Sequence, residues 1–210
     1  ELSGIDESFQ TPEDASYKLE RDADGRLTGV LRSGRSLLKY ESNTKSPSQQ
    51  ERIFQLKALI KDYNSVGITS VSDRNAGDGA VDIWRALYEE EQLNVRVFLY
   101  YSMNARAGTD AIRQRIDAAA ADPLHQYNPH LWLRGVKVFL DGGMLTGSAF
   151  MRKPWGVSEI YSINDSEYRG MRYIDQERLY QFSKLMLEKG FQMTAHSVGD
   201  GAVHALLDAY

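Results

Sequence analysis

The sequence predicts an α/β protein, and three observations carry the prediction. Four short apolar segments alternate with segments of helical period. Most of the helical segments stop at or near a glycine or proline, as helices do. An Asp24-Gly25 pair between two alternating runs precedes them and predicts a β-hairpin. Consecutive βα units favour a parallel sheet, so we predict a partial (β/α)8 TIM-type barrel: about four units with a polar N-terminal hairpin segment.

The first half of the chain sets the order of elements. Residues 1–45 are polar and irregular apart from the hairpin, and residues 46–210 form the predicted barrel part. Ser46 is a plausible N-cap for a first helix that ends at Gly67. The strand "GITSVSD", a helix over about 78–92 and the strand "NVRVFLYYS" follow. Thr109 is the predicted cap of the third helix.

The second half repeats the alternation with one interruption. The strand "LRGVKVFLDGG" leads into residues 142–173, a segment too long for a plain βα loop of about two to six residues. This segment is either a lid over a pocket or a surface excursion. A helix capped by Asp175, the strand "FQMTAHSVGD" and a last helix complete the chain. A doubly wound sheet fits this order too, but no Gly-x-Gly-x-x-Gly turn follows any strand.

Composition excludes several classes of function. The formal charge of -4 and the scattered basic residues predict neither a nucleic-acid nor a membrane partner, and leave a small-molecule substrate. No apolar run approaches the roughly 18 residues of a membrane span. Since the N-terminus has no signal-peptide pattern, we expect a cytoplasmic location. There is no cysteine, so any metal must have nitrogen and oxygen ligands.

The two ends predict that these residues are a fragment of a longer protein. The chain begins with "ELSGIDESFQ", without an initiator Met, and stops within an amphipathic helix, "GAVHALLDAY". A half barrel exposes strand edges and apolar helix faces. We therefore expect a homo-oligomer or dependence on neighbouring segments, and little activity from the isolated piece.

The candidate functional residues are polar residues at the C-terminal ends of the predicted strands, which is where active sites lie in barrels. Strand one delivers Asp73 and Arg74, strand two Tyr101 and Ser102, strand three Lys137 and Asp141, and strand four His196. Any one of these has an ordinary explanation as a turn or cap residue. His125, His130 and His204 are interpreted as surface or capping residues.

Lys137 is the most informative of these residues, because it lies within an apolar strand. A desolvated lysine has a lowered pKa and attacks carbonyl groups as a Schiff-base nucleophile. Alternatively, its neutral amine takes up CO2 to form a carbamate, an oxygen ligand for divalent metals. With the His196 imidazole, a carbamate would provide an N/O ligand set suited to zinc. A direct pair with Asp141 is excluded by a distance of roughly 13 Å along the strand.

Three segments resemble the amidohydrolase superfamily, in its YtcJ-like branch (amidohydrolase family 3): "GITSVSD", "GVKVFLDGGMLTGSAFM" and "EKGFQMTAHSVGDGAVHALLDAY". "RDADGRLTGVLRSG" is similar to a further segment of that branch. The resemblance implies a metal-dependent hydrolase that cleaves an amide or related C–N bond with a metal-activated water. It further implies that Lys137, carboxylated in binuclear members, and His196 are ligands of one or two divalent metals, most often zinc. Asp73, Tyr101 and Asp141 are then expected to bind substrate at the barrel mouth.

The family's remaining machinery is not found in these residues. The resemblance implies a His-x-His motif on the first barrel strand, a later histidine and a late aspartate as general base, so the catalytic base is expected outside this chain. We therefore expect an incomplete metal site and an unmodified Lys137 here. Two alternatives stay open: a Schiff-base lyase or aldolase-type barrel that uses Lys137, and a non-catalytic barrel fragment.

Overall fold

The computed structural model describes residues 3–12, 15, 17–39 and 45–210. Part of the predicted irregular segment 1–45 therefore lies outside the described residues. An antiparallel hairpin comes first, then helices and strands alternate along the chain. The strands are β1 (Lys18–Arg21), β2 (Leu27–Arg32), β3 (Ser70–Ala76), β4 (Arg96–Ser102), β5 (Leu131–Phe139) and β6 (Gln192–His196). The helices are α1 (Gln49–Ser65), α2 (Asp78–Glu89), α3 (Thr109–Ala121), α4 (Gln176–Glu188) and α5 (Asp200–Ala209).

Strands β3 to β6 form one parallel sheet in chain order, β3-β4-β5-β6. Each step from one strand to the next passes through a helical segment, as parallel pairing requires. The predicted α/β class and the N-terminal hairpin are therefore confirmed. The antiparallel strands β1 and β2 form a separate two-stranded sheet.

The two faces of the parallel sheet differ in burial. One face is apolar and covered by helices, since Val97, Leu99, Val136 and Val138 are completely buried and α2 contacts three of the strands. The opposite face, called the open face below, carries larger and more polar side chains, which are partly or fully exposed except for the buried Tyr100. Its members are Ser72, Arg74, Phe98, Tyr100, Ser102, Trp132, Lys137, Phe139, Gln192, Thr194 and His196.

Several element ends differ from the prediction because local hydrogen bonds compete with sequence signals. Helix α1 is capped by Ser48 rather than Ser46, since Ser48 and Glu51 form a reciprocal capping box. Thr109 is the first residue of α3, and Gly108 occupies the cap position. Strand β5 ends at Phe139, so Asp141 lies beyond the strand that was predicted to contain it.

The chain divides into two compact units. One contains Ser46–Phe139 and Glu177–His196, and thus the parallel sheet. The other contains Glu1–Lys45, Leu140–Gln176 and Ser197–Tyr210. The predicted division at residue 45 stays a prediction, since the boundary residues 40–44 lie outside the described part.

Arg32 connects several segments of the unit that contains the hairpin. Its side chain is only 4% exposed and pairs with Glu20 of β1 at 2.6 Å. The same guanidinium donates to the carbonyl oxygens of Thr146, at 2.7 Å, Tyr161 and Ser162. A fork of donors fixed in one plane suits such simultaneous contacts. Arg32 thus ties the hairpin to the long 142–173 segment.

Arg32→Met is expected to lower the free energy of unfolding of the chain by about 2 kcal/mol, because the Glu20 Oε1 atom and three carbonyl oxygens lose the guanidinium that donates to them. Urea denaturation measures the loss, and limited proteolysis should show faster cleavage within residues 142–173. Arg26→Met, on an exposed hairpin position, is the matched control. Equal stability of the two variants would contradict this role of Arg32.

In the part of the chain that the structure describes, no helix is both long and apolar enough to cross a membrane.

Candidate metal and substrate site

Lys137 and His196 lie on the same face of neighbouring strands. Lys137 pairs with Thr194, and Phe139 pairs with His196. Because side chains two residues apart on a strand share a face, all four side chains belong to the open face. The Lys137 Nζ lies 4.9 Å from the Phe139 ring centroid, and the His196 ring centroid lies 5.4 Å from the same ring. The two predicted metal ligands therefore meet around one aromatic ring at the C-terminal ends of β5 and β6.

The environment of Lys137 favours its neutral form. Burial of the side chain and the nearby positive charge of Arg74 lower the pKa of the Lys137 amine below its usual value of 10.5. No ion pair among the described residues includes Lys137. The strand itself is held firmly, since the Lys137 carbonyl accepts from Met103 N–H at 2.9 Å. A lysine in this setting reacts more readily as an amine than a solvated one.

Tyr100 forms the floor of the open face beside Lys137. It pairs in register with Gly135, and its hydroxyl donates to the Gln192 Oε1 at 2.6 Å, so the ring crosses strand β5. The Tyr100 ring can cross β5 at this point because the residue beneath it, Gly135, has no side chain. A Cβ on Gly135 would collide with the Gln192 carbonyl oxygen and lie 2.7 Å from Tyr100 Cδ1.

Asp73 lies on the covered face of the sheet. It pairs with Leu99, a completely buried residue of that face. Its Oδ2 accepts a hydrogen bond from Trp84 Nε1 of α2 at 3.1 Å, and its Oδ1 accepts from Asn75 N–H at 3.2 Å. The structure therefore does not bring Asp73 to the face that carries Lys137.

Tyr101 also lies on the covered face, opposite Val136. The Arg115 guanidinium of α3 stacks over its ring at 4.8 Å, and Arg115 makes a salt bridge to Asp78 at 3.0 Å. Tyr101 contributes to a cavity of about 940 Å³ between α2 and α3. Substrate-binding roles for Asp73 and Tyr101 stay predictions, and both would have to act from the helix side of the sheet.

Asp141 is an internal anchor in the other unit. It is 1% exposed, and its carboxylate accepts three backbone hydrogen bonds, from Phe150 at 2.9 Å, Val198 at 3.0 Å and Gly199 at 2.8 Å. Gly199 is the N-cap residue of α5, where a negative charge is favourable. Its substrate role stays a prediction.

Sequence reasoning assigned no functional role to three residues of this region: Tyr100, Gly135 and Phe139. A glycine inside an apolar strand signals the close approach of another group, and this signal was available at Gly135. Arg74 was noted at a strand end, but not assigned a function. Which of the adjacent Asp73 and Arg74 faces Lys137 depends on strand pairing, which sequence does not contain.

The residues on the open face fit a metal only as part of a ligand set. Among the described residues, no group of three or more histidines, aspartates and glutamates could hold a metal ion. Lys137, once converted to a carbamate, and His196 offer one oxygen and one nitrogen donor. Both are donor types that zinc accepts, and two donors are fewer than its usual three or four protein ligands.

Comparison with solved structures supports the fold. A metal-dependent hydrolase of uncharacterized function from Pyrococcus furiosus superposes with a TM-score of 0.64 at 18% identity, over 97% of this chain and 38% of that chain. A second from Pyrococcus horikoshii OT3 gives a TM-score of 0.62 at 20% identity, over 80% of this chain and 31% of that chain. The parallel βα units are thus a fold found in larger hydrolase chains.

The sequence comparisons then give the family. The chain belongs to the amidohydrolase family, whose sequence profile matches residues 2–210. This confirms the predicted superfamily. The exoenzymes regulatory protein AepA of Pectobacterium carotovorum subsp. carotovorum is 24% identical in an alignment of 215 residues. The alignment covers 100% of this chain and 42% of that protein. The Arabidopsis thaliana protein LONG AFTER FAR-RED 3 is 31% identical over 80 residues, 38% of this chain and 12% of that protein.

Proposed function

We propose that the intact protein is a metal-dependent hydrolase that cleaves an amide or related C–N bond of a small molecule with an activated water. The chain spans less than half the length of the relatives it matches, so this proposal concerns the whole protein. The observation that carries it is the meeting of Lys137 and His196 around Phe139 at the C-terminal strand ends. In α/β folds with parallel strands, this is the edge at which chemistry takes place.

Lys137, as a carbamate, and His196 are the proposed metal ligands. A divalent metal, zinc in our proposal, lowers the pKa of water toward about 7 and polarises a scissile carbonyl when it is bound. Phe139 lies against both side chains and limits the access of solvent to them. The lowered pKa of the Lys137 amine increases the neutral fraction that can react with CO2.

The wider architecture follows from the same proposal. We infer that the four parallel strands are consecutive staves of a (β/α)8 barrel of the YtcJ-like branch, with one or two metals and a general base from other parts of the protein. The exposed apolar side chains of the described helices, among them Phe54, Leu187 and Leu207, are consistent with burial by further barrel elements or by a second copy. A cytoplasmic location and the absence of nucleic-acid and membrane partners stay proposals.

Zinc titration of the intact protein in the presence and absence of bicarbonate tests the ligand assignment. We expect zinc binding that strengthens at least about tenfold with bicarbonate, because losing even a hydrogen-bond partner of a metal ligand costs about 10-fold to 100-fold in affinity, and the carbamate is itself a ligand. Lys137→Met should remove the bicarbonate dependence, and His196→Ala should weaken binding under both conditions. His204→Ala is the matched control, since this exposed helix histidine pairs with Asp208. Zinc affinity that is indifferent to Lys137 and His196 would contradict the assignment.

A second candidate function uses the same lysine differently. A neutral Lys137 amine also suits Schiff-base chemistry in a lyase or aldolase-type reaction, and the lowered pKa supports both uses. Borohydride reduction in the presence of a carbonyl compound would trap a covalent adduct on Lys137. A trapped adduct, together with zinc binding unaffected by bicarbonate, would favour this candidate over the hydrolase.

A further inference from the structure

Arg74 is a cation on the open face whose position the proposed metal chemistry does not explain. It is exposed, and its guanidinium stacks over the Tyr100 ring at 5.1 Å. Tyr100 belongs to the open face, so Arg74 reaches the same side of the sheet as Lys137. None of the ion pairs formed by the described residues includes Arg74.

The platform under Arg74 is rigid. Tyr100 is 3% exposed, its hydroxyl is bound to Gln192 and its ring lies over Gly135. A planar guanidinium stacked on a fixed ring loses little further freedom when it binds a ligand, and its edge donors stay available. Arg74 is therefore prepared to bind a planar or tetrahedral anion with two parallel hydrogen bonds.

The open face offers Arg74 no carboxylate from the sheet. Asp73 is the single acidic residue in strands β3 to β6, and it lies on the covered face with Trp84. None of the open-face side chains is acidic, and Arg74 is the open-face arginine.

We propose that Arg74 binds an anionic oxygen group of the substrate, a carboxylate or phosphate, while the bond to be hydrolysed lies toward Lys137 and His196. Neighbouring parallel strands are about 4.8 Å apart. The backbone of Arg74 in β3 is therefore two strands, roughly 10 Å, from that of Lys137 in β5. His196 in β6 lies one strand beyond Lys137. Arginine and lysine side chains span part of this interval. A small molecule with its anionic group a few bonds from the amide fits the remainder.

The inference takes the reacting groups, Lys137 and His196, from the proposed function. Its test measures anion binding alone and does not depend on that function. The probe is succinamate, which carries one amide and one carboxylate, and the comparison ligand is succinamide, which has the same size without the charge. Inorganic phosphate forms a third arm that distinguishes phosphate from carboxylate recognition. Binding to the isotopically labelled chain is followed by NMR, without metal and without any measurement of activity.

We expect succinamate or phosphate to bind with shifts confined to the open face, and succinamide to bind at least about tenfold more weakly. Arg74→Met should weaken binding of the anion by the same factor, and Arg74→Lys should retain part of the affinity. Arg115→Met is the matched control, because Arg115 stacks on the adjacent Tyr101 from the covered face and its removal changes the net charge equally.

Equal binding of succinamate and succinamide with no binding of phosphate, or equal weakening by the Arg74 and Arg115 variants, would overturn the inference. If zinc binding proved independent of bicarbonate, the anion-binding result would still stand. The metal-ligand assignment and the anion site at Arg74 can therefore be refuted independently. A preference for phosphate over succinamate would keep Arg74 as the anion site and assign a phosphorylated substrate.

Discussion

Asp141→Ala is expected to lower the free energy of unfolding by about 3 kcal/mol or more, because three backbone N–H groups lose the carboxylate that they share. The carboxylate holds the 142–173 segment, through Phe150, to the start of α5, through Val198 and Gly199. A buried group with this many partners is difficult to replace by water. Urea denaturation measures the total loss, and hydrogen exchange at the Phe150 and Gly199 amides measures the local one.

Asp165→Ala is the matched control for Asp141. Asp165 is exposed and accepts one local hydrogen bond, from Glu167 N–H at 2.9 Å. Its replacement should change stability by about 0.5 kcal/mol or less. If the two alanine variants unfold at the same urea concentration, the carboxylate of Asp141 is not the anchor that its hydrogen bonds indicate.

Gly135→Ala has the second largest expected effect, a loss of about 3 kcal/mol in the free energy of unfolding. The added methyl group would collide with the Gln192 carbonyl oxygen of the neighbouring strand and with the Tyr100 ring. Overpacking against backbone costs more than overpacking against a flexible side chain, because the strands themselves must separate. Thermal unfolding monitored by circular dichroism provides the measurement.

Gly79→Ala provides a control with the opposite expected sign. Gly79 is an exposed residue within α2, and a methyl group there would meet only an Arg52 side-chain nitrogen at 3.8 Å. Alanine is favoured over glycine in a helix interior by up to about 1 kcal/mol. Gly79 is the second residue of α2, so a fraction of this stabilisation is expected. A Gly135→Ala variant as stable as Gly79→Ala would show that Tyr100 does not cross β5 as described.

Periodicity was sufficient to predict the order of the elements. The apolar runs of β3 to β6 and the amphipathic helices between them identify themselves locally, because helix and strand place apolar residues at different intervals. Element ends were less well predicted. Ser46 and Ser48 both suit an N-cap, and only the partner of Ser48, Glu51, distinguishes them.

The candidate site shows the same division between local and long-range information. Lys137 and His196 are recognised from their strands, and the pairing of β5 with β6 brings them together. Asp73 and Tyr101 were grouped with them because they lie near strand ends, but strand pairing places both on the covered face. Asp141 was predicted to lie within the same strand as Lys137, but β5 ends at Phe139.

The central claim is that Lys137 and His196 are ligands of a catalytic metal. The most direct test is metal analysis and native mass spectrometry at neutral pH on the protein purified from its own cells, in the length in which it occurs there. We predict a bound divalent metal and an intact protein mass that includes one added CO2, both lost in Lys137→Met. A metal-free protein with an unmodified Lys137, or a metal content unchanged in the Lys137 and His196 variants, would contradict the claim.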